Sequence, residues 1–132
     1  LLLDTHVILW ALTDDEKLPS AARAMIEDPS NLIFFSSAAI WEIESKHERH
    51  PEQMPFSGET VYGFCKQFGM KELMIKSKHV FQMSSLQRDA KLPKHNDPFD
   101  KMMLCQAKAE GIYFLTHDQR ISEYDESCVI KI

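Results

Sequence analysis

Five short apolar runs, LLL at 1–3, LIFF at 32–35, LMI at 73–75, IYFL at 112–115 and CVI at 128–130, are separated by stretches patterned as helices. Runs this brief and this rich in β-formers suit strands buried on both faces, and strands alternating with helices read as a parallel sheet covered on both sides. The helices carry their own boundaries. The first spans His6 to Leu12; the second, Ser20 to Glu27, follows Leu18-Pro19 and stops at Pro29. Ser36 or Ser37 caps a third that passes through Glu42 to about Glu48, and a fourth spans Gly58 to Phe68 before Gly69. A fifth covers Lys78 to Leu86, and the last opens at Asp97-Pro98 and stops at Gly111. His50 to Ser57, with two prolines, reads as a helix connection. With 132 residues and no repeat or low-complexity tract, the pattern predicts one α/β domain over 1–132.

Composition narrows the function classes. A hydrophobic share of 44% and a charged share of 27% are those of a globular protein with a real core. No apolar run approaches the roughly 20 residues of a membrane-spanning helix, and LLLDTHVILWAL has no basic leader, so a cytoplasmic protein is expected. Cys65, Cys105 and Cys128 are odd in number and widely spaced, the pattern of reduced core thiols rather than a zinc site or redox pair. The net charge of −5 is opposite to the footprint of a module that grips nucleic acid by charge alone. It weighs less against a metal-dependent nuclease, whose bound cations supply positive charge where phosphate docks.

Acidic residues placed just after strands are candidates for one shared site, because ligands of open α/β sheets sit beyond the carboxyl ends of the strands. Asp4 follows LLL, Asp118 falls three residues after Leu115 in FLTHD, Glu42 lies in the helix after LIFF, and Asp100 is in the first turn of the helix preceding IYFL. Hard cations such as Mg²⁺ and Mn²⁺ prefer carboxylate oxygen, and clustered carboxylates repel one another unless a cation neutralises them. Each acid also has a structural reading. Asp4 or Thr5 caps the helix at His6, Asp97 caps the helix at Pro98, Glu42 pairs with Lys46, and Asp118 serves as a turn residue. Glu42 nonetheless sits in the apolar context AAIWEI, where an acid needs a compensating partner.

The segments LLLDTHVILW, SSAAIWEI, HNDPFDKMMLCQA and FLTHD, in this order and spacing, resemble the PIN-domain ribonucleases, and most closely VapC-type toxins of type II toxin–antitoxin pairs. The resemblance runs over nearly the whole chain. It implies a three-layer fold with a five-stranded parallel sheet between helices and a Mg²⁺ or Mn²⁺ site built by Asp4, Glu42, Asp100 and Asp118, with Asp97 as the alternative to Asp100. Thr5 matches the small hydroxyl residue after the first acid. Lys101 stands where the nearest relatives carry Arg, which keeps the charge and loses the bidentate fork. The implied activity is metal-dependent endoribonuclease, with a VapB-like antitoxin and a second copy of the chain as expected partners. On this reading Asp4 and Asp100 bind metal directly, Glu42 and Asp118 act through water, and Thr5 orients water or a phosphate oxygen.

His6, His95 and His117 each neighbour one of these acids but are not expected to bind a hard cation. Trp10 and Trp41 are read as core, and so are Met102, Met103 and Leu104. Lys46, Arg49, Lys94, Lys101 and Arg120 are candidates to meet an RNA backbone, with solvated surface charge as the alternative. Two rival functions stay open: a non-catalytic interaction protein that keeps the fold, and a metal-dependent DNA nuclease.

Overall fold

The computed structural model describes all of residues 1–132. In chain order the elements are β1 (Leu2–Leu3), α1 (Thr5–Leu12), α2 (Ser20–Glu27), β2 (Phe34–Ser36), α3 (Ser37–Arg49), α4 (Gly58–Gln67) and β3 (Lys71–Leu73). There follow α5 (Ser77–Val80) with a 3₁₀ turn at Phe81–Ser85, α6 (Pro98–Glu110), β4 (Phe114–Thr116), α7 (Gln119–Ser122) and β5 (Val129–Lys131). The five strands form one parallel sheet in the order β3-β2-β1-β4-β5. The connections run one way across the sheet from β1 to β3 and back again from β3 to β5, so the right-handed rule for parallel crossovers calls for helices on both faces.

The order reverses direction between β1 and β4, the switch point where open sheets present a crevice. Leu3 is in register with both Phe35 and Leu115, so Asp4, Ser36 and Thr116 leave the sheet at the same level. The central strands are fully buried, as runs covered on both faces must be: Leu2, Leu3, Phe35, Phe114 and Leu115 pack with Val7 and Ile8 of α1 and with Met103 and Leu104 of α6. Burying each such side chain contributes about 1.5–3 kcal/mol. From α6, Gln106 reaches the ends of β2 and β3, accepting from Ser36 Oγ at 2.5 Å and donating to the Leu73 carbonyl at 3.1 Å. Gly58 lets α4 close onto α3, since a Cβ there would meet the Ile40 carbonyl at 3.0 Å. Gly111 ends α6 in the left-handed conformation, φ 66°.

Three expectations need correction. The third strand is Lys71–Leu73, not the apolar run LMI, and it lies at the sheet edge with Met74 exposed. The turn at Gly69, φ 82°, with Met70 buried behind it, feeds the chain into the sheet two residues early. The continuous helix over Lys78 to Leu86 breaks into α5 and a 3₁₀ turn, because His79 is the sole fully buried residue between Ser77 and Ser85 and no apolar face holds a longer helix. Cys65 and Cys105 are buried thiols as expected, whereas Cys128 is half-buried. No helix is long and apolar enough to cross a membrane.

Candidate functional site

Asp4 leaves β1 with its carboxylate turned toward β4. Its Oδ1 accepts from Val7 N at 2.9 Å, capping α1, while Oδ2 accepts from Thr116 Oγ1 at 2.5 Å and from His117 N at 3.0 Å. Thr116 Oγ1 in turn accepts from Asp118 N at 3.0 Å, so one hydroxyl couples the acids of β1 and β4. Burial raises the Asp4 pKa, and these three donors oppose that rise. Thr116 is a site residue that the sequence reading missed. Its signal was the Thr-x-Asp spacing in FLTHD, which suits a hydroxyl accepting from a backbone N–H two residues on.

Glu42 is brought in by α3, whose N-terminus is capped by Ser36 Oγ on Ala38 N at 2.9 Å. The helical spacing of buried Ala38, Ala39, Glu42 and Ile43 turns Glu42 inward. Burying an acid requires partners. Thr5 Oγ1 donates to Oε1 at 2.7 Å and Lys46 Nζ to Oε2 at 2.6 Å. The hydroxyl of Thr5 is therefore committed to Glu42, and the pairing of Glu42 with Lys46 is real.

Asp97 and Asp100 separate cleanly. Asp97 Oδ1 accepts from Phe99 N at 2.9 Å and Asp100 N at 3.2 Å, the duties of a helix cap. Asp100, one turn in, faces the cluster. Burial, then contact with the Asp118 carboxyl, then the charges of Asp97, Glu42 and Asp4 push its pKa well above the ordinary carboxylate range. Asp118 caps α7 through Oδ1, which accepts from Arg120 N at 2.8 Å. The structure thus draws Asp4, Glu42, Asp100 and Asp118 to one sheet edge.

One residue set aside in the sequence joins them. Ligating atoms of His95, Asp100 and Asp118 all lie within 4.8 Å of one another. Burial lowers the His95 pKa, with Asp118 and then Asp97 pulling it back up. The other two histidines stay outside this group. His6 is exposed and packs on half-buried Trp10, which also meets His117 edge-on at 4.9 Å. Trp41 is corrected from core to surface: it is 62% exposed, because the spacing that buries Glu42 and Ile43 faces it outward, where it meets Phe99 edge-on at 4.9 Å. Met103 and Leu104 are core, and Met102 is half-buried against it. Among the basic candidates, Lys46 is engaged by Glu42, and Arg120 donates to the Pro93 carbonyl at 3.3 Å. A cavity of 330 Å³ between α1, α2 and the end of α4 contains none of the acids.

The PIN domain family profile matches residues 1–127. The chain belongs to the PIN-domain family. Among solved structures, one described as VapBC2 from Rickettsia felis bound to a DNA fragment from their promoter is similar at 15% identity and a TM-score of 0.64. The match covers 98% of this chain and 96% of that one, and at this identity it bears on the fold alone. Comparison with curated proteins finds no match. This PIN domain has the expected five-stranded parallel sheet, with its acids beyond the carboxyl ends of β1 and β4. Its donor set, carboxylate oxygens of Asp100 and Asp118 within 4.8 Å of one another and of a His95 ring nitrogen, fits a divalent cation.

Proposed function

We propose that this PIN domain is a metal-dependent endoribonuclease, the VapC-type toxin of a toxin–antitoxin pair, with the whole of 1–132 as one domain. The observation that carries the reading is the closeness of the Asp100 and Asp118 carboxylate oxygens, which with a ring nitrogen of His95 all lie within 4.8 Å of one another beside the switch point. Two acids held together against their repulsion, in a chain of this family, are what a cation would relieve. Asp4, Glu42, Asp100 and Asp118 would hold Mg²⁺ or Mn²⁺, which when bound supplies an activated water and a positive field at the scissile phosphate.

The chain's own residues prepare that chemistry. Thr116 and the His117 N–H fix the Asp4 carboxylate, and Thr5 with Lys46 fixes Glu42, so neither acid swings away when RNA arrives. Asp118 is tied to α7 by one oxygen and keeps the other toward the cluster. Lys94, Lys101 and Arg49 lie near these motifs and would meet the backbone phosphates. A cytoplasmic setting, a VapB-like antitoxin and a homodimer belong to the same reading. The non-catalytic alternative draws on an observation too: Asp4, Glu42, Asp97 and Asp118 all accept protein hydrogen bonds, as structural caps do.

Labelled RNA and single-stranded DNA incubated side by side in Mg²⁺, Mn²⁺ or EDTA test the proposal. Metal-dependent cleavage of RNA with little of DNA is expected. Preference for DNA, or cleavage indifferent to EDTA, would count against it, and no cleavage of either would favour the non-catalytic reading.

A further inference from the structure

The imidazole of His95 enters the acid cluster with one ring nitrogen unassigned. Its side chain is 4% exposed, and Nδ1 lies 3.1 Å from the Tyr124 hydroxyl. Nε2 is shielded from solvent and has no hydrogen-bond partner. Buried polar atoms are seldom left so, and each one that is calls for an explanation. The nearest acidic oxygen, Asp118 Oδ2, is 3.9 Å away, too far for a hydrogen bond. Yet a ring nitrogen of His95 and carboxylate oxygens of Asp100 and Asp118 all lie within 4.8 Å of one another, and Nε2 is the nitrogen left without a partner. Opposite ligands on one ion with bonds of about 2.1 Å stand about 4.2 Å apart, so the 3.9 Å between Nε2 and Asp118 Oδ2 suits two ligands of one cation better than a hydrogen bond.

We propose that His95 Nε2 is a direct metal ligand beside Asp100 and Asp118, giving this PIN domain a mixed nitrogen and oxygen site that takes Mn²⁺ in preference to Mg²⁺. The proposal rests on the metal-nuclease reading and adds a donor to it. Nitrogen donors suit Mn²⁺ better than Mg²⁺, which holds out for oxygen. With the ion on Nε2, the ring proton sits on Nδ1 and is donated to the Tyr124 hydroxyl oxygen. Tyr124 is itself held. Its ring meets His95 edge-on at 5.6 Å and lies under the Arg88 guanidinium at 5.9 Å, and Arg88 is paired with Glu123. Tyr124 is therefore a positioning residue for the ligand.

The test is Mn²⁺ binding to the full chain followed by pulsed electron paramagnetic resonance. Wild-type protein with bound Mn²⁺ should show ¹⁴N coupling from an imidazole, and His95→Gln should lose it while its Mn²⁺ dissociation constant rises at least about tenfold. The Mg²⁺ dissociation constant should change less. Tyr124→Phe should keep the coupling and weaken Mn²⁺ by a smaller factor. Bound Mn²⁺ without ¹⁴N coupling, in a wild type whose binding Asp118→Asn abolishes, would overturn the histidine ligand and leave the carboxylate site standing. Coupling that persists in His95→Gln would also overturn it. A wild type that binds no Mn²⁺ would overturn both. The wild-type spectrum decides the matter even where a variant fails to fold.

Discussion

His79 and His95 are two buried imidazoles at opposite ends of α6, and they are finished differently. His79 is wholly enclosed: Nδ1 accepts from Lys76 N at 2.9 Å, and Nε2 pairs at 2.8 Å with Glu110, which also binds Lys78 Nζ at 2.9 Å. His95 is as well hidden, yet its Nε2 faces two acids without bonding either. The acids differ in the same sense. His79 first and then Lys78 hold the Glu110 carboxyl below its usual range, whereas burial and then Asp118 push Asp100 above it. One end of α6 closes every polar group and acts as a fastening. The other leaves groups open, a tension that a folding chain tolerates where a ligand will relieve it.

Breaking the open end should cost activity most. Asp118→Asn should slow RNA cleavage by more than about 100-fold, beyond the 10- to 100-fold typical of residues that only support a ligand. Breaking the closed end should cost stability instead. His79→Ala removes a fully buried ring and leaves Glu110 and the Lys76 N–H short of a partner, so urea unfolding should show a loss of about 2–4 kcal/mol, with little change in cleavage per folded molecule. If His79→Ala and His95→Gln destabilise equally, the contrast between the two ends is wrong.

Asp100→Asn sharpens the contrast by reversing its sign. Without metal at neutral pH, the variant should be more stable than wild type by on the order of 1 kcal/mol, since Asn replaces a carboxyl that must take up a proton on folding, and a thermal melt would show it. With Mn²⁺ the order should invert, because only wild type gains from binding. Acidity separates the ends more gently. The depressed Glu110 contributes stability that is present above the unfolded carboxylate pKa and lost as pH falls through its lower folded value. The raised Asp100 contributes stability to metal-free protein that is present below the unfolded pKa and lost as pH rises through its higher folded value. Melts of Glu110→Gln and Asp100→Asn across pH should each flatten one limb of the profile.

What the sequence disclosed followed from local chemistry. The runs around Leu3, Phe35 and Leu115 marked the central strands because both faces are covered, and Pro98 and Gly111 marked α6 because each suits one helix end only. The edge strand was misplaced since pairing on one side alone lets a turn, rather than an apolar run, set the register. Asp4, Glu42 and Asp118 could be nominated from their places after strands. Telling the capping duty of Asp97 from the inward placement of Asp100 needed the helix axis, which assigns the backbone N–H groups to Asp97. His95 was set aside as a ligand in the sequence, and its open nitrogen could not be foreseen there, because it depends on Tyr124, 29 residues on, and on the absence of a partner for Nε2. Trp41 was legible in principle, for buried positions 38, 39, 42 and 43 leave 41 outside the face.

The proposed activity requires the acids at the β1–β4 crevice to act through a metal on RNA. The direct measurement is the single-turnover rate of RNA cleavage in Mn²⁺ by wild type and by Asp118→Asn, each first shown to be folded by a urea titration. Wild type should cleave RNA in a reaction that EDTA abolishes, and the variant should be more than about 100-fold slower. Equal rates in the two proteins would contradict the proposal.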